Sequence, residues 1–108
     1  MSSLPHVTTD TFQAEVISAD QPVLVDFGAV WCSPCKMLDP VVEALAGDWS
    51  AKMKAVRIDV DHNPEIAMQY QVLGVPALIL FKDGKPVERT SGFLPRKKLE
   101  AKFGPHLS

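Results

Sequence analysis

Val23-Leu24-Val25-Asp26-Phe27 is a short run, rich in β-branched residues and apolar except for one carboxylate. A run without polar alternation is the pattern of a strand covered on both faces. Such a strand needs a layer of structure on each side, and 108 residues suffice for one core of that kind. The punctuation around it supplies the layers. Thr8-Thr9-Asp10 ahead of Phe12, Val16 and Ile17 reads as a capped first helix, which Gln21-Pro22 ends. Met37, Leu38, Val41, Val42 and Leu45 form a helical stripe that closes at Gly47 and Trp49. Pro40 lies inside it and is expected to kink the helix, because it lacks a backbone donor and crowds the preceding turn.

Ala55 to Val60 alternates as a strand does, and Asn63-Pro64 reads as the cap and first residue of a helix that Gly74 stops. Ala77 to Lys82, the turn Asp83-Gly84, and Pro86 to Thr90 predict a β-hairpin. Pro95 opens a last helix carrying Leu99 and Phe103, closed by Gly104-Pro105, and His6-Val7-Thr8 supplies a short strand at the front. The order β-α-β-α-β-α-β-β-α implies parallel pairing through crossovers, with antiparallel strands added by the hairpin. The expected architecture is a single α/β domain over residues 1–108: a three-layer α/β/α sandwich on a mixed sheet of about five strands, with about four helices. Reactive loops belong beyond the carboxyl ends of its parallel strands.

Composition removes several classes of function. With 46% apolar and 22% charged residues the chain is a folded protein. Eleven basic and thirteen acidic residues give a formal charge of −2, which is no electrostatic footprint for nucleic acid or anionic lipid. The longest apolar stretch, Ala77 to Phe81, is strand-sized, far below the ~18–20 residues that span a bilayer. Met1 to His6 has neither a basic nor an apolar leader region, so a cytoplasmic location is expected.

Only two cysteines are present, as Cys32-Ser33-Pro34-Cys35. A bridge across so small a loop would stabilise the fold by only about 2 kcal/mol, so the spacing points to chemistry more than to stapling. The motif follows the buried strand and opens the long helix, where unpaired amides favour a thiolate. At an unperturbed pKa of ~8.5 about 3% of a thiol is ionised at pH 7; lowering it by ~1.5 units ionises about half. Cys32 is expected to be the exposed nucleophile and Cys35, a turn deeper, the resolving thiol, with Pro34 stiffening the turn. Zinc would want four ligands, and His6, His62 and His106 are scattered, so no metal site is expected.

Asp26 is costly to bury ionised, and desolvation should raise its pKa. It could serve Cys35 as general acid or base; alternatively it hydrogen-bonds a hydroxyl or pairs with Arg57 or Lys36. Val75-Pro76 after Gly74 is compatible with an ordinary strand start.

Taken together, Val25-Asp26-Phe27, Trp31-Cys32-x-Pro34-Cys35-Lys36-Met37, Asp59-Val60-Asp61-x-Asn63-Pro64, Gly74-Val75-Pro76 and Phe81-Lys82-Asp83-Gly84 resemble the thioredoxin family over nearly the whole chain. The resemblance implies the thioredoxin fold and a protein-disulfide reductase whose Cys32 and Cys35 cycle between dithiol and disulfide. It implies Asp26 beneath Cys35, with Arg57 where the family usually has lysine, and a cis Val75-Pro76 bond against the active site. The Val75 backbone would pair with an extended substrate, and Trp31, Gly74 and Gly92 would border an apolar docking surface. Electrons would come from a thioredoxin reductase, the substrates would be disulfide-containing proteins, the chain would act as a monomer, and no cofactor is implied.

Four positions depart from the family pattern. Ser33 replaces a glycine, which bears on the relative stability of the two redox states. Gly28 replaces an aromatic residue and is expected to leave the neighbourhood less packed. Ala77 replaces a threonine. Pro95 replaces a capping serine, and Arg96-Lys97-Lys98 oppose the dipole of the last helix. Two other readings are a disulfide oxidase or isomerase, which would want a leader and typically a His within the motif, and a redox-gated binding module.

Overall fold

The computed structural model describes residues 3–107, so Met1, Ser2 and Ser108 lie outside the description, including the first residues of the leader reading. In chain order the elements are β1 (His6–Val7), a helical turn (Gln13–Ile17), β2 (Val23–Gly28), α1 (Ser33–Asp48), β3 (Lys54–Asp59) and α2 (Pro64–Gln69). They are followed by β4 (Ala77–Lys82), β5 (Lys85–Ser91), α3 (Arg96–Phe103) and a closing 3₁₀ turn at Gly104–His106. The sheet order is β1-β3-β2-β4-β5. β3 runs parallel to both β1 and β2, while β4 is antiparallel to β2 and to β5. This is the expected mixed sheet of five strands between two layers.

The two-residue side-chain period of a strand decides what each layer receives. Val23, Val25 and Phe27 of β2 join Val56, Ile58, Ile79 and Phe81 on one face, covered by Phe12, Val16 and Ile66. There Phe12, Tyr70 and Phe81 stack edge-on and tilted with ring centroids 5.0–5.6 Å apart. Leu24, Ala55, Leu78 and Leu80 point the other way, under Leu38, Val42 and Leu45 of α1 and Leu99 and Phe103 of α3. By the same parity Asp26, Gly28 and Arg57 face α1. Each fully buried Leu or Phe of these clusters contributes roughly 1.5–3 kcal/mol.

Two local expectations are corrected. The first helix is a five-residue turn of wider pitch, closed by the Ser18 amide donating to the Gln13 carbonyl at 2.8 Å. Its entry is held by Thr8 and Thr11, each amide donating to the other's hydroxyl at 2.8 and 3.3 Å. Asn63 precedes α2 but does not cap it. Its side chain accepts from the Thr9 amide at 2.8 Å and donates to the Asp59 carbonyl at 2.9 Å, fastening the N-terminal segment to the β3–α2 loop. Helix α1 runs through Pro40 as one element, without the hydrogen bond that an amide there would donate to Lys36.

The hairpin turn is as expected: Asp83 and Gly84 both have positive φ, +54° and +78°, the combination that matches strand twist in a two-residue connection. A Cβ on Gly84 would also lie 2.8 Å from the Ile17 carbonyl. α3 starts at Pro95 without a side-chain cap, as expected. Arg96 in its first turn is nevertheless tied to Asp48 of α1 at 2.6 Å and to Glu100 at 2.9 Å, an exposed cluster of small energetic weight. Among the described residues no helix is long and apolar enough to cross a membrane.

Candidate active site

Strand β2 ends at Gly28, and four residues later Cys32 stands at the N-cap of α1. Ser33 and Pro34 are the first residues of the helix, and proline is harmless there because those amides have no intrahelical acceptor. Cys32 and Cys35 are joined by a disulfide, with Cα atoms 5.2 Å apart. The Cys35 amide donates to Cys32 Sγ at 3.2 Å, so the helix tip directs a backbone donor at the first sulfur. That donor and the helix dipole both favour negative charge on Cys32 once the bridge opens.

Exposure follows the expected order but not the expected size. Cys35 is fully buried, and Cys32 is only 3% exposed. The reason lies in the packing: both cysteines cluster with Ala29, Val60 and Val75. Val75 comes from the loop before β4, whose bond to Pro76 is cis, so the loop does lie against the disulfide.

Around this apolar spot the surface is open. Trp31 is 66% exposed, and its indole Nε1 donates to Asp61 Oδ2 at 2.7 Å. Asp61 sits in a turn built on Asp59, which accepts from the Asp61 and His62 amides at 2.8 and 3.2 Å. Gln71 to Ala77 border a shallow groove of about 340 Å³ that Gly92 closes on the far side. The Gly92 amide donates to the Pro76 carbonyl at 2.9 Å, and Gly92 has φ +79°. A Cβ at Gly74 or Gly92 would meet nothing within 4 Å. Leu73 is 97% exposed beside them.

Asp26 is fully buried, and neither of its oxygens has a hydrogen-bond donor among the described residues. Among the described residues neither structural alternative from the sequence is realised: no hydroxyl donates to it, and neither Lys36 nor Arg57 forms an ion pair with it, Arg57 being engaged elsewhere. Arg57 lies opposite Asp26 in the β2–β3 register, yet its Nη1 donates to Asp39 Oδ2 of α1 at 2.6 Å. Asp39 is buried like Asp26 and, held by Arg57, acts on it electrostatically. Burial, then the hydrogen bond and charge of Asp39, push Asp26 up to about 8, against the opposing pull of Arg57.

The expectation of loose packing at Gly28 is corrected here as well. A Cβ on Gly28 would lie 2.6 Å from Arg57 Nη2, so the guanidinium fills the space that an aromatic side chain would need. Outside this pair a cavity of about 460 Å³ opens, lined by Asp39, Arg57, Lys36 and Glu43, among others.

Asp39 is the residue that the sequence reading passed over. One signal was available: it lies next to Leu38 and four residues beyond Cys35, on the buried side of α1, where a carboxylate needs a partner.

Residues 3–104 match the family model described as Thioredoxin. The chain belongs to the thioredoxin family. It is 42% identical over 107 residues to Thioredoxin 1 of Nostoc sp. (strain PCC 7120), covering 99% of this chain and 100% of that relative. It is 46% identical over 105 residues to thioredoxin of Staphylococcus epidermidis, covering 97% and 99% of the two chains, and 42% identical over 106 residues to that of Porphyra purpurea, covering 98% and 99%. With its cysteine pair bridged at the tip of α1, this thioredoxin-family chain is a thiol–disulfide oxidoreductase that acts as a disulfide reductase.

Proposed function

We propose that the Cys32 thiolate attacks a protein disulfide, forming a mixed disulfide and releasing the first substrate thiolate. Asp26 then accepts the Cys35 proton. The Cys35 thiolate attacks Cys32 Sγ, the Cys32–Cys35 bridge forms, and the second substrate thiolate leaves. Two electrons pass from the dithiol to the substrate, and the released thiolates take up protons. The observation that carries this reading is the bridge at the α1 tip, where the Cys35 amide is aimed at Cys32 Sγ.

An extended segment of the substrate lies in the groove along Gly74, Val75 and Pro76. It pairs with the Val75 backbone and covers Trp31 and Gly92. Ser33, Pro34 and Lys36 shape the helix tip, and Arg57 acts through the carboxyls beside it. The whole chain works as one domain and as a monomer in the cytoplasm, and a thioredoxin reductase returns the bridge to the dithiol.

Insulin reduction with and without Cys35→Ser tests this. The variant is expected to lose turnover, falling to the rate without protein, while it accumulates one mixed disulfide per chain through Cys32. Turnover that survives the substitution would contradict the two-cysteine mechanism.

A further inference from the structure

Three buried carboxylate oxygens lack a donor among the described residues: both of Asp26 and Oδ1 of Asp39. An ionised carboxylate only accepts, so two facing carboxylates cannot satisfy one another. A single proton on Asp26 resolves the arrangement, because the Asp26 hydroxyl can then donate to Asp39 Oδ1 while Oδ2 remains with Arg57. The charges agree. With Asp26 protonated, the cluster holds one carboxylate and one guanidinium and is neutral; with Asp26 ionised it holds an uncompensated negative charge out of water.

We propose that Asp39 is a positioning residue for disulfide exchange: by holding Arg57 with one oxygen and facing Asp26 with the other, it makes the ionised Asp26 a stronger acceptor for the Cys35 proton and holds that proton once it is transferred. This rests on the reading of Asp26 as the acceptor of the Cys35 proton. Gly28 makes the arrangement possible, since its missing side chain admits the guanidinium. The charged and titratable groups around the pair are Arg57 and Asp59 of β3, Lys36 and Glu43 of α1 and His6 of β1. Arg57 is ion-paired with Asp39, Glu43 adds its negative charge to the field at Asp26, and Lys36, His6 and Asp59 line the adjoining cavity with it.

Removing the Asp39 charge has a signed consequence. In Asp39→Asn the guanidinium loses its carboxylate, and the carboxyl left to it is Asp26, across the strand pair. An opposite charge at that range moves a carboxyl down by about 1–3 units. Titration of the reduced protein, followed through the carboxyl carbons of ¹³C-labelled aspartate, is therefore expected to show the Asp26 step shifted down by that amount in Asp39→Asn. An unmoved step overturns the proposal.

The unsubstituted protein gives a second reading that does not depend on the variant folding. The Asp39 carboxyl carbon is expected to respond through the Asp26 step, and a featureless Asp39 signal there overturns the proposal as well. The rate of disulfide exchange against pH separates the two ideas. A rate step that moves with the Asp26 carbon in Asp39→Asn and vanishes in Asp26→Asn supports both. A step that persists in Asp26→Asn overturns the acceptor role of Asp26, and with it any action of Asp39 on the rate, whatever the carbon signals show.

Discussion

The Arg57 guanidinium occupies the place of a side chain at Gly28, with Nη2 2.6 Å from where a Cβ would stand. The two positions are therefore coupled, although they belong to different strands. Gly28→Ala must push the guanidinium from Asp39 or strain the end of β2. A loss of about 1–3 kcal/mol is expected, as for other overpacked sites. In an Arg57→Met, Asp39→Leu background the same substitution should cost less, because the group it displaces is gone. Urea unfolding of the four proteins checks this, and an equal penalty in both backgrounds would contradict the coupling.

Asp26 gives stability a pH dependence of definite sign. Its folded value is raised to about 8 from an ordinary 3.8, so the native state holds a proton that the unfolded chain releases. The stabilising contribution is complete below the unfolded value, falls as pH rises between roughly 4 and 8, and is flat beyond. The slope in that window approaches ~1.4 kcal/mol per pH unit for this one group. Asp26→Asn should remove the slope and leave the variant more stable than the parent near pH 8. Denaturant melts across the window measure it, and parallel curves for the two proteins would be the contrary result.

The indole of Trp31 is fixed by Asp61, across the mouth of the site. The bond is at the surface, so Asp61→Ala should lower stability by no more than about 1 kcal/mol. The larger effect is expected in docking: a freed indole raises the KM for insulin while leaving the rate of Cys32 alkylation by a small reagent unchanged. Alkylation that slows in step with insulin reduction would place Asp61 in the chemistry instead.

Much of this organisation is legible in the sequence because it is local. The unbroken apolar run at residues 23–27, the position of Cys32 just before a helix, and Asp83-Gly84 between two strands each carry their physical reason within a few residues. What the sequence reading missed depends on pairs distant in the chain. Arg57 takes Asp39, 18 positions away, in preference to the Asp26 that stands opposite it in register. Asn63 abandons the cap it is placed to make for Thr9, 54 positions away. Gly28 reads as a gap until the strand pairing brings Arg57 into it. Cys32 is covered because a loop more than forty residues later folds back over it. The resemblance to thioredoxins pointed to Cys32, Cys35 and Asp26, but the carboxyl pair rests on Asp39, which lies outside the motifs that carried that resemblance.

The account depends most directly on Cys32 being anionic near neutrality while Cys35 is withheld. Alkylation of the reduced protein by iodoacetamide, with the modified residue mapped by mass and the rate followed against pH, reads both thiols at once. Cys32 should react first, with its rate half-maximal well below the ~8.5 of a free cysteine, and Cys35 should lag throughout. Equal rates at the two residues, both half-maximal near the free-cysteine value, would contradict it.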